Sequence, residues 1–359
     1  MKSDIPLALL TTFHVGGPAR YYREAHTVEE VRSAIDFARR EKLPLFVLGG
    51  GSNVVIADSG FDGLVLVPRM AGISFEERED QVLATVGAGA VWDEFVAQAA
   101  ARGYAGIECL SGIPGTVGGA IVANLGAYGA QASDTFVSAD VLDREDGEGS
   151  ALRVFERDAC KFSYHDSMFS HADGRYVVLG ARFKLQKAGA AQFSYQGNRF
   201  DLTALTKALG HEPTQEEVRV AILKMRAEKG MLADIYLSAG SFFHLPFVSA
   251  EKYAETIAKA QQLDAEKEER LRPWAWKLSD GSYKIASGFL LEYTEFQRGY
   301  VRGPVGISPK HTLAIINRGG ATAHEVAALA RDMQRAVETT FGIRLEREVE
   351  YIGAVESPN

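Results

Sequence analysis

The chain of 359 residues has only two cysteines, Cys109 and Cys160. So few exclude a disulfide scaffold and a zinc site of paired CxxC type, and a lone pair in so long a chain reads as reduced and buried, which favours a cytoplasmic protein. Long apolar runs are also lacking. None approaches the roughly 18 residues of a membrane span, so an integral membrane protein is excluded and no membrane partner is expected. The N-terminal stretch MKSDIPLALLTTF carries an acid at Asp4, an apolar run too short for a signal peptide and no small-residue cleavage site. It reads as mature sequence. Nor is there an excess of positive charge: the formal balance is −8, with the charges interspersed. That argues against nucleic acid as a partner and obliges any anionic ligand to find a local positive site. No metal site is expected, no internal repeat is visible, and the chain is taken to be a monomer.

What the sequence does have is glycine, 36 residues in all, of which 16 fall between Gly49 and Gly129. Even spreading would place about 8 there. The gaps are filled with Val, Ile, Leu and Phe, so low complexity is not the explanation. Glycine at this density marks loops whose backbone must come close to something.

Local patterns divide the chain. Thr27-Val-Glu-Glu30 is a capping box opening a helix with Val31, Ile35 and Ala38 on one face, stopped by Pro44. LPLFVLGGGSNVVIAD then reads as strand, glycine turn and strand, and GFDGLVLV as one strand more. ISFEERED and QVLATVGAG alternate like antiparallel strands. VWDEFVAQAAARG is a helix with Trp92, Phe95, Val96 and Ala99 inward. VSADVLDRED, ALRVFERD and RYVVLGARFKLQ have the spacing of an antiparallel meander. Thr214 and Thr322 open two further capped helices, AEKYAETIAKAQQLDAEKEER reads as another, and IRLEREVEYIG as a final strand. The class is α+β.

GGGSN, from Gly49 to Asn53, is followed by VVIAD, which reads as strand rather than helix, and neither GxGxxG nor GxxxxGK[ST] occurs. Rossmann and P-loop folds are therefore poor fits. A strand-to-strand glycine turn can still hold a pyrophosphate through successive backbone N–H groups, with Ser52 and Asn53 adding donors; the alternative is a plain turn. A second glycine segment combines Gly112-Ile-Pro-Gly115 with Gly118-Gly119 and precedes Asn124 and Tyr128. Two such loops suit a long, double-ended ligand.

The ordered set TTFHVGGPAR, VLGGGSNVVIAD, GIPGTVGGAIVANLGAYG, AGSFF, SPKH and REVEYIG resembles the UDP-N-acetylenolpyruvoylglucosamine reductases, over almost the whole chain, from about Thr11 to Gly353. The resemblance implies a two-part FAD-binding domain of the vanillyl-alcohol-oxidase (PCMH) type plus a C-terminal α+β substrate-binding domain. The corresponding boundaries are 1–68, completed by a strand within 342–359, then 69–228, then 229–341. It also implies noncovalent FAD, NADPH as electron donor, and an enolpyruvyl nucleotide sugar as substrate. Hydride delivered to C3 leaves carbanion character at C2, so such a site needs a proton donor and groups that steady the negative charge.

In that resemblance Ser241 of AGSFF matches the proton donor and Glu348 of REV the catalytic carboxylate; by spacing alone Glu346, Glu348 and Glu350 share one strand face. His165 of SYHDS stands where the family has an arginine. A histidine supplies a cation only when protonated, and it lacks the arginine fork. Gly49, Gly50, Gly51, Ser52, Asn53, Pro114, Gly115, Gly118 and Gly119 are the expected cofactor contacts. Tyr128, Tyr195, Lys229 and Tyr293 are the expected substrate contacts, in the longer-loop form of the family. Pro309-Lys310-His311 matches a family segment and is expected to make a loop contact. His244-Leu245 and Tyr293 depart from the usual Lys-Asn and Gln. Two other readings remain: a different FAD oxidoreductase of the same fold, and a non-catalytic nucleotide-sugar-binding relative.

Overall fold

A computed structural model describes residues 1–147, 150–172, 174–187, 202–232 and 235–355. The chain falls into two compact units: Met1–Ile5, Pro18–Gly51 and Phe61–Arg226 form the first, and Pro6–Gly17, Ser52–Gly60 and the chain from Ala227 onward form the second.

The first unit holds two sheets. In one, Pro18–Ala25 and Leu45–Val47 both run parallel to the central strand Phe61–Pro68, and Lys2–Pro6 lies at the edge. The capped helix forms as Val28–Arg40, with the Thr27 side chain accepting the Glu30 N–H, and buries Val31, Ala34, Ile35 and Ala38 against Leu45, Leu64 and Leu66 of this sheet. The other sheet is antiparallel and five-stranded, in the order Leu152–Glu156, Phe136–Asp143, Tyr176–Gln186, Gln81–Gly87, Ile73–Arg78. This is not the sequential meander of the sequence reading. Phe136–Asp143 lies between the two strands that follow it, and the long strand Tyr176–Gln186 pairs on its other edge with Gln81–Gly87. The helix Trp92–Ala101 seats Trp92 and Phe95 on Phe183, with ring centroids 6.0 and 5.1 Å apart. The indole N–H of Trp92 donates to the Leu110 carbonyl, which satisfies the polar group such a ring takes into a core. Both cysteines are buried and unbridged.

The second unit is built around the helix Ala323–Phe341, whose Val326, Leu329, Met333 and Val337 are buried. An antiparallel sheet of Leu237–Ser238, Ile315–Asn317, Val305–Ile307 and Val301–Arg302 contributes to the same core. A small antiparallel sheet joins Phe247–Val248, Tyr283–Ile285 and Ala275–Lys277. The single charged helix expected after residue 249 is two helices, Ala250–Leu263 and Ala265–Leu271. Asp264 breaks it: its backbone is extended, and its side chain accepts the Lys267 N–H as the cap of the second helix. The expected C-terminal strand is regular only over Glu350–Ile352, which runs parallel to Val54–Ile56; before it Arg347 makes an isolated antiparallel bridge to Phe243. Among the described residues no helix is long and apolar enough to cross a membrane, and no cluster of His, Cys, Asp or Glu could hold a metal ion.

Asp58 ties the Ser52–Gly60 arm into this unit. Its two carboxylate oxygens accept the N–H groups of Ala323 and His324 at 2.7 and 3.0 Å, in the first turn of the long helix, where the helix dipole favours an anion. Asp58→Ala should lower stability by about 1–2 kcal/mol, the cost of losing a cap and its dipole contact, as measured by urea unfolding monitored by tryptophan fluorescence.

Candidate active site

In the first unit the two glycine segments meet backbone to backbone. A Cβ on Gly50 would stand 2.5 Å from the Gly115 Cα, and one on Gly49 would stand 3.0 Å from the Thr116 Oγ1. No side chain fits between them, which is why glycine is required here. Gly118 and Gly119 are not loop residues as expected: they lie in the first turn of a short helix, Val117–Val122. The Thr116 hydroxyl accepts the Gly119 N–H, and a Cβ on Gly118 would press on Ala88 at 3.0 Å, so the glycine lets the helix settle on its neighbour. Among the described residues, the backbone N–H groups of Gly49, Gly50, Gly51, Gly115 and Thr116 have no hydrogen-bond acceptor. Adjacent unused amides around glycines at positive φ, Gly51 at 64° and Gly115 at 127°, are what a pyrophosphate requires. Pro114 is part of the same segment. The residues present therefore fit a dinucleotide cofactor. Ser52 and Asn53, next in the chain, belong to the second unit.

Asn124 organises the neighbouring turns. Buried and at φ 39°, it donates from Nδ2 to the Ser163 carbonyl and to the Gln131 side chain, and its Oδ1 accepts the Ser133 N–H. The Ser163 contact holds a two-residue turn closed by mutual backbone bonds between Ser163 and Asp166. His165 occupies the second corner of that turn at φ 50°, half-buried, with the Tyr164 ring edge-on at 4.4 Å. Asp166 fixes the far side by accepting from Ser170 and contacting His171. Tyr128, also at positive φ, is buried against Cys109, Val218 and Ile222 and hydrogen-bonds Arg226. Tyr195 lies outside the described residues.

In the second unit, Gly240 at φ 77° turns the chain into an extended segment that pairs antiparallel with the Glu348 stretch: the Glu348 N–H donates to the Phe242 carbonyl at 3.0 Å, and the His244 N–H to that of Glu346 at 2.9 Å. Ser241 and Glu348, 107 positions apart, thus lie on facing chain segments. Ser241 is half-buried, and the Glu348 side chain is 23% exposed. Asn53 holds the other edge of the Glu348 stretch, its Nδ2 donating to the Glu348 carbonyl and its own carbonyl accepting the Glu350 N–H. Of the three glutamates expected on one strand, only Glu350 lies in the regular strand, while Glu346 and Glu348 flank the isolated bridge at Arg347.

The sequence marks His244 only as a departure from the family pattern. Its Nδ1 stands 3.9 Å from the Glu348 Oε2, a neighbour that pattern alone could not reveal because it follows from pairing across the chain. Lys229 follows the helix Gln215–Glu228 directly, ahead of Gly230 at φ 65°, and Lys310 of the SPKH segment donates to the Ala227 carbonyl at that helix end. Tyr293 packs between Phe289 and Phe341, each centroid at 5.6 Å, with its buried hydroxyl lacking a partner among the described residues.

The comparisons with known proteins define the class, an FAD-containing oxidoreductase. An FAD binding domain model matches residues 19–151, and the model of the UDP-N-acetylenolpyruvoylglucosamine reductase C-terminal domain matches 233–352. The reductase of that name from Thermobifida fusca is 40% identical over 98% of this chain and 97% of its own, and that from Pseudomonas aeruginosa 37% identical over 97% and 98%. The crystal structure of the Thermus caldophilus enzyme superposes with a TM-score of 0.64 at 25% identity, covering 98% of each chain. The chain belongs to the UDP-N-acetylenolpyruvoylglucosamine reductase family.

Glu108, four residues before Gly112, was not singled out by sequence. It is buried, its Oε2 accepts the Gly106 N–H, and its Oε1 has no partner among the described residues. Burial pushes its carboxyl up to about 7. Because the folded value lies above the ordinary one, the stabilisation from holding this proton is complete below about pH 4.5 and is lost as the pH rises through 7, a span of about 3 kcal/mol. Glu108→Gln keeps the N–H acceptor and should flatten that part of the unfolding free energy between pH 5 and 8, as measured by denaturant titration at stepped pH.

Proposed function

We propose that the protein reduces UDP-N-acetylglucosamine enolpyruvate to UDP-N-acetylmuramate, with NADPH as electron donor, as a cytoplasmic monomer supplying peptidoglycan precursor synthesis. The observation that carries this reading is the pairing that sets the Ser241 segment against Glu348. FAD held at the Gly49–Gly51 and Gly115–Thr116 amides would supply the hydride for C3 of the enol ether. Ser241 then gives its proton to C2. A serine hydroxyl is a weak acid, but the developing carbanion is a strong enough base to take that proton. Glu348 is the carboxyl that serves the same proton transfer. Held by Asn53 on one side and by the Phe242 carbonyl on the other, its main chain cannot drift from that of Ser241.

His165 takes the place of the arginine that steadies the enolate, and the corner position of its turn keeps it half-exposed. Lys229 binds the substrate diphosphate, with Tyr128, Tyr195 and Tyr293 as further substrate contacts. The amides of Gly49 to Gly51, Gly115 and Thr116, with Ser52, Asn53, Pro114, Gly118 and Gly119, form the cofactor site. Backbone donors at this density let a chain of net charge −8 hold the cofactor's pyrophosphate with little side-chain charge, leaving Lys229 for the substrate's.

Ser241→Ala should leave flavin reduction by NADPH nearly intact and slow reoxidation by the enolpyruvyl nucleotide by ~10²–10⁴-fold, the range for loss of a general acid. Anaerobic stopped-flow of the flavin spectrum reads both halves, and equal slowing would remove Ser241 from the role. His165→Arg should preserve or raise turnover when the position is purely electrostatic. Turnover abolished with flavin still bound would show that the imidazole itself is needed.

A further inference from the structure

We propose that Asp93 and Arg219 are positioning residues for the cofactor: together they clamp Gly112 and so hold the 112–115 segment in the shape that leaves its amides for a phosphate. This rests on the reading that the segment binds the FAD pyrophosphate. A loop whose N–H groups are kept for a ligand cannot be held by those same groups, so it needs an anchor elsewhere. Gly112 is that anchor. Its N–H donates to the Asp93 Oδ1 at 2.5 Å, and its carbonyl accepts from the Arg226 Nε at 3.1 Å, so both of its polar groups are fixed from outside the segment. Gly112 sits at φ 71°, and the segment runs to Gly115, the residue in backbone contact with Gly50.

An aspartate alone in this place would oppose a phosphate nearby. Arg219 answers that charge with a forked contact, its two terminal nitrogens donating to the two carboxylate oxygens, the longer at 2.7 Å. Burial pushes the Asp93 carboxyl up, but the Arg219 guanidinium and the Gly112 amide outweigh it and keep the group below the usual carboxylate range. Arg219 and Arg226 are seven residues apart on the helix Gln215–Glu228, two turns, and therefore lie on one face. Asp93 comes from the first turn of Trp92–Ala101. One helix thus supplies the charge and the other the acceptor, and neither residue takes part in the proposed proton transfer.

The test uses the full-length holoenzyme, stripped of flavin and titrated with FAD, alongside the melting temperature of the flavin-free protein. Arg219→Met leaves Asp93 without its counter-charge, so the decisive variant is the double Asp93→Leu, Arg219→Met, which removes the acceptor of the Gly112 N–H together with both charges. We expect the double variant to melt within a few degrees of the wild type without flavin, to bind FAD ~10–100-fold more weakly, and to keep kcat within about threefold at saturating FAD, with Arg219→Lys intermediate because an ammonium cannot reproduce the fork. Wild-type FAD affinity in the double variant would overturn the proposal. So would a loss of affinity that only tracks a fall in melting temperature. Gly115→Ala separates the two levels: lost flavin binding there with intact binding in the double variant rejects the clamp alone, and intact binding in both rejects the assignment of the segment to FAD.

Discussion

The second unit depends on the parallel pairing of Val54–Ile56 with Glu350–Ile352, made by residues almost 300 positions apart. Loop closure over such a separation is costly in entropy, so the contact must be secured at more than one point. It is. Asn53 bonds the Glu348 main chain at one end of the arm, and Asp58 accepts the first amides of the Ala323–Phe341 helix near the other. Between them Val55 and Ile56 are fully buried. Without this arm the Glu348 segment would have a partner only on the Phe242 side.

The first unit solves a different problem, exposing amides without losing a fixed shape. Glycines 50 and 115 approach closely enough to exclude any side chain, Thr116 caps a short helix, Asn124 closes the neighbouring turn, and Asp93, Arg219 and Arg226 hold Gly112. Rigid backbone donors of this sort bind phosphate with little reorganisation, which an array of surface lysines would not achieve. On the proposed reading of this site, the glycine excess and the absence of a basic excess are two aspects of one device.

Local signals were legible wherever the chain's own neighbours decide conformation. The caps at Thr27, Thr214 and Thr322 act on amides three residues away, and the inward faces of the Val28–Arg40 and Trp92–Ala101 helices follow the 3.6-residue period. The readings that changed were those in which a local pattern has more than one solution. Asp264 in a charged helical run can sit within a helix or cap the next one, and here it caps. Three short strands can pair in sequence or around the first of them, and here they pair around the first, Phe136–Asp143.

The sequence by itself determined the family and the cofactor class, because those lie in short ordered motifs, and it nominated Ser241 and Glu348 only through that family match. Only the tertiary structure decided that Asn53 serves the Glu348 main chain, that His244 neighbours that carboxylate, that Glu108 is buried, and that Asp93 and Arg219 grip Gly112. The reason is physical. Each of these depends on pairing between segments distant in the chain, and a side chain's role there is set by what folding brings within about 3 to 4 Å of it, which no local periodicity encodes.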